Sequence, residues 1–432
     1  MNRLLPALLA TLAVSLALAQ DAPRPLTLPE AIRVALKNNP DLATAQQRVK
    51  AARAGIQQAD SALWPHVRVS ESYVGTDNPV QAFMMTLNQR TFNLNTDFNH
   101  PDNTDNLGTK VLAQWSLYDG GQSFATRQAA KLSSESAAQS LDAVRNDLVF
   151  EVARAYYTVN KARQFVRTAD AAVASMEANV NIASNRVAAG SALKTDLLDA
   201  EVRLAEAREN QVRARNADAL SESIFRNVLG VGETEPVIAG ESTVLSESAA
   251  PAAAARPEVL ASRKAVAAAS QQVRAAQGGY IPRLNAFASY DVDSGNAEQF
   301  KDSWIAGVSV DLDVFDGFLT RGKVAEARAN LDVSREQLRK TELSVALEIK
   351  QAQLNVEEAQ ARLNTTGKSV AQAEESLQIT KDRYAGGLAL LTQVLDAESA
   401  LTGARQRRAA AEADYLIARA ALDRALGKTW KE

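Results

Sequence analysis

The chain has 432 residues, with 48 Lys and Arg against 51 Asp and Glu, a net charge of −3 and a pI near 5.8. It therefore has no basic excess on the scale that nucleic acid requires as a partner. It contains no cysteine, which excludes disulfides, thiolate chemistry and the lipid-bearing N-terminal cysteine of a lipoprotein. Scarce Gly, Pro and aromatic residues beside abundant Ala, Gln, Glu, Arg and Leu are the composition of long packed helices.

Residues 1–19 read as a secretory signal peptide. Asn2-Arg3 supplies the positive start, Leu4 to Leu18 is almost wholly apolar, and Ala17-Leu18-Ala19 is an A-x-A cleavage site, so the mature chain is expected to begin at Gln20. The apolar run, about 15 residues, falls short of the roughly 20 that a spanning helix needs, and no later segment could span as a helix. A helical pattern covers Thr27 to Ala62. His66 to Gly75 and Lys110 to Tyr118 then read as strands; in the second, Val111, Ala113, Trp115 and Leu117 alternate with Leu112, Gln114 and Ser116. Asp119-Gly120-Gly121 turns the chain into a helix over 122–188, where Pro and Gly are absent. Within it Val152, Val159, Val166, Val173, Val180 and Val187 hold sevenfold spacing, with Ala155, Ala162, Ala169, Met176 and Ala183 three places later. This is a heptad seam that predicts left-handed supercoiling. Gly190 suits a left-handed cap, and a returning helix covers 195–229.

An equatorial linker is expected over 231–251, after which the same order recurs. A helix runs from about Ala252 to Gln277, strands over 283–291 and 304–313, a long helix over 318–385, and a returning helix over 392–427. Trp304, Ala306, Val308, Val310 and Leu312 face one way and Ile305, Gly307, Ser309, Asp311 and Asp313 the other. The recurrence is an internal duplication: Arg186 to Glu201 returns as Arg383 to Glu398, an offset of 197 that also carries the valine seam onto Ile349, Val356, Leu363, Val370, Leu377 and Tyr384. Nearer the N-terminus Asn39-Pro40 matches Arg256-Pro257, an offset of 217. The 20 extra residues of the first repeat (20–230, against 252–432) fall in the polar loop between its two strands, the kind of loop that faces outward from an outer-membrane barrel.

Strands of this length cross a bilayer at a tilt, and Trp64, Tyr118 and Phe315 could sit in an interface belt. Four strands do not close a barrel, and an open edge in lipid leaves backbone groups without partners, so the chain must oligomerise, as eight strands from two copies or twelve from three. The alternative for these strands, two soluble hairpins capping a helical bundle, is opposed by the signal peptide.

The duplication, the strand end Leu117-Tyr118-Asp119-Gly120-Gly121 and the tips Arg-x-x-x-Gly-x-x-x-x-Thr-Asp and Arg-Tyr-x-x-Gly together resemble the TolC-like outer-membrane efflux family over nearly the whole mature length. The resemblance implies a mainly α fold with a membrane β-barrel portion: a homotrimer whose four strands per protomer make a twelve-stranded barrel in outer-membrane lipid, continued by a periplasmic tunnel of coiled-coil helices. It also implies a periplasmic adaptor and an inner-membrane pump of RND, ABC or MFS type, and export of drugs, toxic compounds or proteins without a cofactor. Carried over residue by residue, Gly190 and Gly387 match the turn glycines, and Leu193 and Leu390 would be exposed at adaptor-docking tips. Tyr384 matches a gate tyrosine and Thr195-Asp196 its Thr-Asp partners, but Ala389 stands where the gate arginine would be. The two aperture aspartates fall on Gln393 and Asp396, so one acidic group remains, with Asp199 as a candidate substitute.

No catalytic or metal reading survives, since the two histidines, His66 and His100, are isolated. The rival class is a periplasmic adaptor or structural coiled-coil protein, which would carry one helical hairpin flanked by β-rich modules, not two hairpins interleaved with bilayer-length strands.

Overall fold

The computed structural model describes residues 24–95, 97, 99–233, 235, 237–240, 256–295 and 297–428. The expected signal peptide, the start at Gln20 and most of the linker lie outside them. In chain order the elements are β1 (Arg24–Leu26), α1 (Leu28–Asn38), α2 (Pro40–Ser61), β2 (His66–Thr76), α3 (Pro79–Asn88), β3 (Thr104–Tyr118), α4 (Gln122–Ala188), α5 (Lys194–Leu229), β4 (Val237–Ala239), α6 (Pro257–Gln277), β5 (Arg283–Ser294), β6 (Lys301–Asp311), α7 (Leu319–Ala385) and α8 (Leu391–Ala425). The chain divides into two units, one of Met1–Gln46, Leu141–Pro257 and Glu342–Glu432, the other of Gln47–Ser140 and Glu258–Thr341.

Several boundaries differ from the sequence pattern. The first helix is broken at Asn39, whose extended backbone (ψ 127°) follows from the proline after it. β3 starts at Thr104, six residues before its alternation begins, because Thr76 to Ser72 of β2 pair with Thr104 to Gly108 whatever the side chains there. β5 runs on to Ser294, and β6 starts at Lys301 and ends at Asp311, short of Asp313. The long polar loop contains a helix: Asn78 Oδ1 accepts from the N–H groups of Val80 and Gln81, and Pro79 starts α3.

In the first unit, β1 and β4 form a parallel ribbon beside a core where Tyr156 stacks edge-on against Tyr157 (5.8 Å) and Phe225 (6.0 Å). Leu28, Ile32, Val152, Val159 and Leu229 complete it with no exposed surface. The heptad seam points into this unit: Val173, Ala155, Ala162, Ala169, Met176 and Ala183 are also buried. The seam in α7 is less covered, since Ala352 and Ala359 are buried but Ile349, Val356, Leu363, Val370 and Leu377 are half-buried.

The returning helices end in matching joints. Asn39 Nδ2 donates to the Val228 carbonyl (2.9 Å) while its Oδ1 accepts from Asp41 N (2.8 Å), so one side chain caps the end of α5 and the start of α2. In the second repeat Arg256, 3% exposed, donates to the Ala425 carbonyl (3.1 Å) and to Glu348 (2.8 Å). Gly230 (φ 72°) ends the first joint, where a Cβ would lie 2.6 Å from the Asn38 carbonyl oxygen.

The other unit holds an antiparallel four-stranded sheet in the order β2-β3-β5-β6. Val159→Asp should place an unpartnered charge at a fully buried seam position of the first unit, a loss of several kcal/mol. Melting of the purified protein should fall sharply, and an unchanged melting temperature would remove Val159 from the core.

Candidate functional site

The register of the sheet sorts its side chains onto two faces. One face carries rows Val67–Ala113–Ala288–Ala306 and Val69–Val111–Tyr290–Trp304, continued by Trp115–Ala286–Val308 and Leu284–Val310. These are apolar yet open: Val69 is 68%, Trp304 74% and Val310 70% exposed. The next row, Glu71–Thr109–Val292–Asp302, ends the apolar band, with Tyr290 Oη donating to Asp302 (3.3 Å). The opposite face is polar. Lys110 pairs with Asp291 (3.4 Å), Asn106 donates to Asp293 (2.6 Å) and Asn285 to Asp311 (3.0 Å). One apolar and one polar face is the pattern of a barrel wall between lipid and water. Within the sheet β2 and β6 each pair on one side only.

The hairpin ends lie in the other unit. Gly190 (φ 70°) and Gly387 (φ 74°) adopt the left-handed conformation. Each closes its helix by the same bond, Ser191 N to the Arg186 carbonyl and Leu388 N to the Arg383 carbonyl, both 2.8 Å. Leu193 (70% exposed) and Leu390 (68%) follow the turns in the open. Asp196 and Gln393, at duplicated positions, accept from the N–H of Leu193 and Leu390 at 3.3 Å and so cap α5 and α8. Thr195, Asp199, Gln393 and Asp396 are exposed. Asp199 and Asp396 line one groove with Val202, Arg203, Glu206, Thr392 and Leu395.

Among the described residues no hydrogen bond ties Tyr384 to the Thr195-Asp196 pair, although Tyr384 packs in the same apolar cluster as Leu197. Its ring lies under the Arg186 guanidinium, 4.2 Å from the centroid. Asp396 meets Arg203 of α5 at 3.2 Å, so a cation on the first hairpin stands against an anion on the second. Deeper, Glu398 is 4% exposed and accepts from Ser175 Oγ (2.7 Å) and Asn179 Nδ2 (2.6 Å) of α4 while pairing with Lys381 of α7 (2.8 Å). It joins three helices through one carboxylate beside buried Leu391, Leu395 and Met176. Sequence pattern alone does not single out Arg186, Arg203 or Glu398. Glu398 left a signal, for it falls on the apolar spacing Leu391, Leu395, Leu401 of α8. Along α4 and α5, Gln211 and Arg215 hold the Asp170 carboxyl below its usual range.

The family model for outer membrane efflux proteins matches residues 31–231 and 250–428. The chain belongs to the outer membrane efflux protein family. It is 27% identical over 395 residues to Protein CyaE of Bordetella pertussis, covering 88% of this chain and 80% of that protein. To the outer membrane efflux protein BepC of Brucella suis it is 24% identical over 419 residues, 93% of this chain and 85% of that one. The crystal structure of the outer membrane protein VceC from Vibrio cholerae has the same fold, with a TM-score of 0.80 at 23% identity over 93% of this chain and 96% of that one. This efflux protein is therefore an outer-membrane channel with a periplasmic tunnel of long helices and a barrel contribution from its sheet. The reading as a periplasmic adaptor is not favoured. Channels of this family generally work as homotrimers with adaptor and pump partners.

Replacing Glu398 with Ala should leave Lys381 and Asn179 without their acceptor, lower the melting temperature and raise basal conductance in planar bilayers; Glu398→Gln should do less because it keeps the acceptor oxygen. Equal, wild-type behaviour of both variants would show that this carboxylate does not hold the hairpins together.

Proposed function

We propose that three copies of this chain close a twelve-stranded barrel and that the channel exports drugs, toxic compounds or proteins delivered by a periplasmic adaptor and an inner-membrane pump of RND, ABC or MFS type. The observation that carries the trimer is the sheet with one apolar face and two unpaired edges: in lipid those edges must be paired, and only further copies of β2 and β6 offer a matching edge. Twelve strands leave room for a lumen, whereas eight are filled by their own side chains. Exposed Leu193 and Leu390, beside the turns at Gly190 and Gly387, offer the adaptor two apolar tips per protomer.

At the gate, the cation absent at Ala389 has a counterpart on the opposite hairpin. Arg203 against Asp396 and Arg186 against Tyr384 tie the two hairpins. Three Asp396 carboxylates, each tempered by Arg203, form the acidic ring of the aperture. Tyr384, Thr195 and Asp196 then shape the tip, the last as a helix cap, and Gln393 adds no charge.

The channel should fractionate with outer-membrane markers and run as a heat-modifiable trimer; a soluble periplasmic monomer would overturn the proposal. Asp396→Asn should weaken block by divalent cations in planar-bilayer recordings. Undiminished block there, with a large loss in Asp199→Asn, would move the acidic site to the first hairpin.

A further inference from the structure

The loop between β2 and β3 carries α3, an element with no counterpart between β5 and β6, which only residues 295–300 separate. α3 lies on the polar face of the sheet. Its C-cap, Gln89, is buried, and Nε2 donates to the Asp105 carbonyl (2.7 Å) and to Asn106 Oδ1 (2.9 Å). Asn106 in turn donates to Asp293, and both stand on the face that carries Lys110 and Asp291. Gly295 closes against the same glutamine, for a Cβ there would lie 2.6 Å from Gln89 Oε1. Arg90 then donates to the Asp302 carbonyl of β6 (2.9 Å), so α3 and its cap cross the sheet from the end of β2 to the end of β6. The helix has two apolar sides. Ala82, Phe83 and Met85 are covered, with Phe83 edge-on to Phe92 (5.7 Å). Val80 (72% exposed), Met84 (52%) and Leu87 (40%), spaced i, i+4 and i+7, form the opposite side and are open. No residue from Pro79 to Asn88 is charged.

A barrel turns its apolar face to lipid and its polar face to the lumen, so α3 stands on the lumen side, at the strand ends from which the long polar loop leaves. Twelve strands about 4.8 Å apart and tilted by about 40° place the wall roughly 12 Å from the barrel axis, whereas a helix with its side chains is about 10 Å across. Three such helices laid inside one rim have no room to stay apart. We infer that α3 of each copy meets its two equivalents at the barrel axis through Val80, Met84 and Leu87, so that the exterior mouth is closed by an apolar plug made of the chain's own residues. An uncharged apolar constriction of this kind excludes water and ions from the mouth. Gln89 and Arg90 tie each helix to its own sheet, and only side-chain packing joins it to its copies. The plug therefore parts without breaking a backbone hydrogen bond. This inference rests on the trimeric reading and goes beyond it by giving the channel a second closure, at the end opposite the hairpin tips.

The chain has no cysteine of its own, so single engineered thiols report cleanly. Full-length M84C, treated in membranes with a short bis-maleimide, should give covalent dimers on denaturing gels, because any two of the three thiols at the axis can be joined. V69C, on the lipid face, should give none. Ser70 lies on the polar face opposite Lys110, four residues along β3 from Asn106. In intact cells S70C should react slowly with a bulky, membrane-impermeant maleimide, and severalfold faster once V80N, M84N and L87N are added, three changes confined to exposed side chains. Native sizing of the same samples separates the two claims. In a native trimer, either an M84C that forms no covalent dimer or an S70C rate unmoved by the polar substitutions would overturn the plug, leaving α3 against water or lipid and the trimer standing. A native monomer would overturn both.

Discussion

Along the outer edges of β2 and β6, no further strand among the described residues of the protomer pairs with the backbone N–H and C=O groups, and the sheet that ends there shows lipid an apolar face. In water such an edge is an aggregation hazard, and in a bilayer it is untenable because nothing else can satisfy those groups. The fold therefore cannot be a finished object as one chain. Strands long enough to cross a bilayer, a polar inner face bridged by Lys110 and Asp291, and apolar side chains left open on α5 and α7 belong to a molecule built to be completed by copies of itself.

The duplication shows which contacts belong to the helix pair and which to its surroundings. Arg208 with Glu177 and Arg405 with Glu374 are the same ion pair, both at 2.8 Å, because each lies within one hairpin and depends only on that hairpin's own geometry. The joints at Val228 and Ala425 are also shared, though Asn39 makes one and Arg256 the other. Any long donor at that position can reach the carbonyls left open at a helix end. Contacts between hairpins are different. There the repeats diverge, and Glu398 with its two partners on α4, Ser175 and Asn179, has no equivalent around Glu201 in the same protomer.

At the tips, divergence takes the form of moved charge. An anion on the second hairpin, Asp396, faces Arg203 on the first, and the ring of Tyr384 is occupied by Arg186. Both pairs are partly open to solvent, where each contributes little on its own. The buried carboxylate of Glu398 is worth more to the packing of the hairpins, since removing either side of a buried pair strands the other. The contacts at the end of the hairpins are thus weak ones, and the strong one lies further in.

Much of this was written in the chain itself. The duplication is visible as recurring residues, the long helices as a stretch without Pro or Gly, and the strands as alternation at Trp304 to Leu312, because each depends on local period and on backbone chemistry. The break at Asn39 was also present as an Asn-Pro pair, though the helical pattern on either side hid it. Other features needed the tertiary structure. The order β2-β3-β5-β6 and the early start of β3 depend on which strands pair, and the polar sequence of Thr104 to Gly108 gives no alternation to read. The meaning of Glu398 and of Arg203 likewise depended on which helices lie side by side. Glu201 and Glu398 occupy the same motif, Asp-Ala-Glu, and one is exposed while the other is buried. Local sequence fixes the face of the helix on which a carboxylate stands; whether that face meets water or a neighbour is decided by packing.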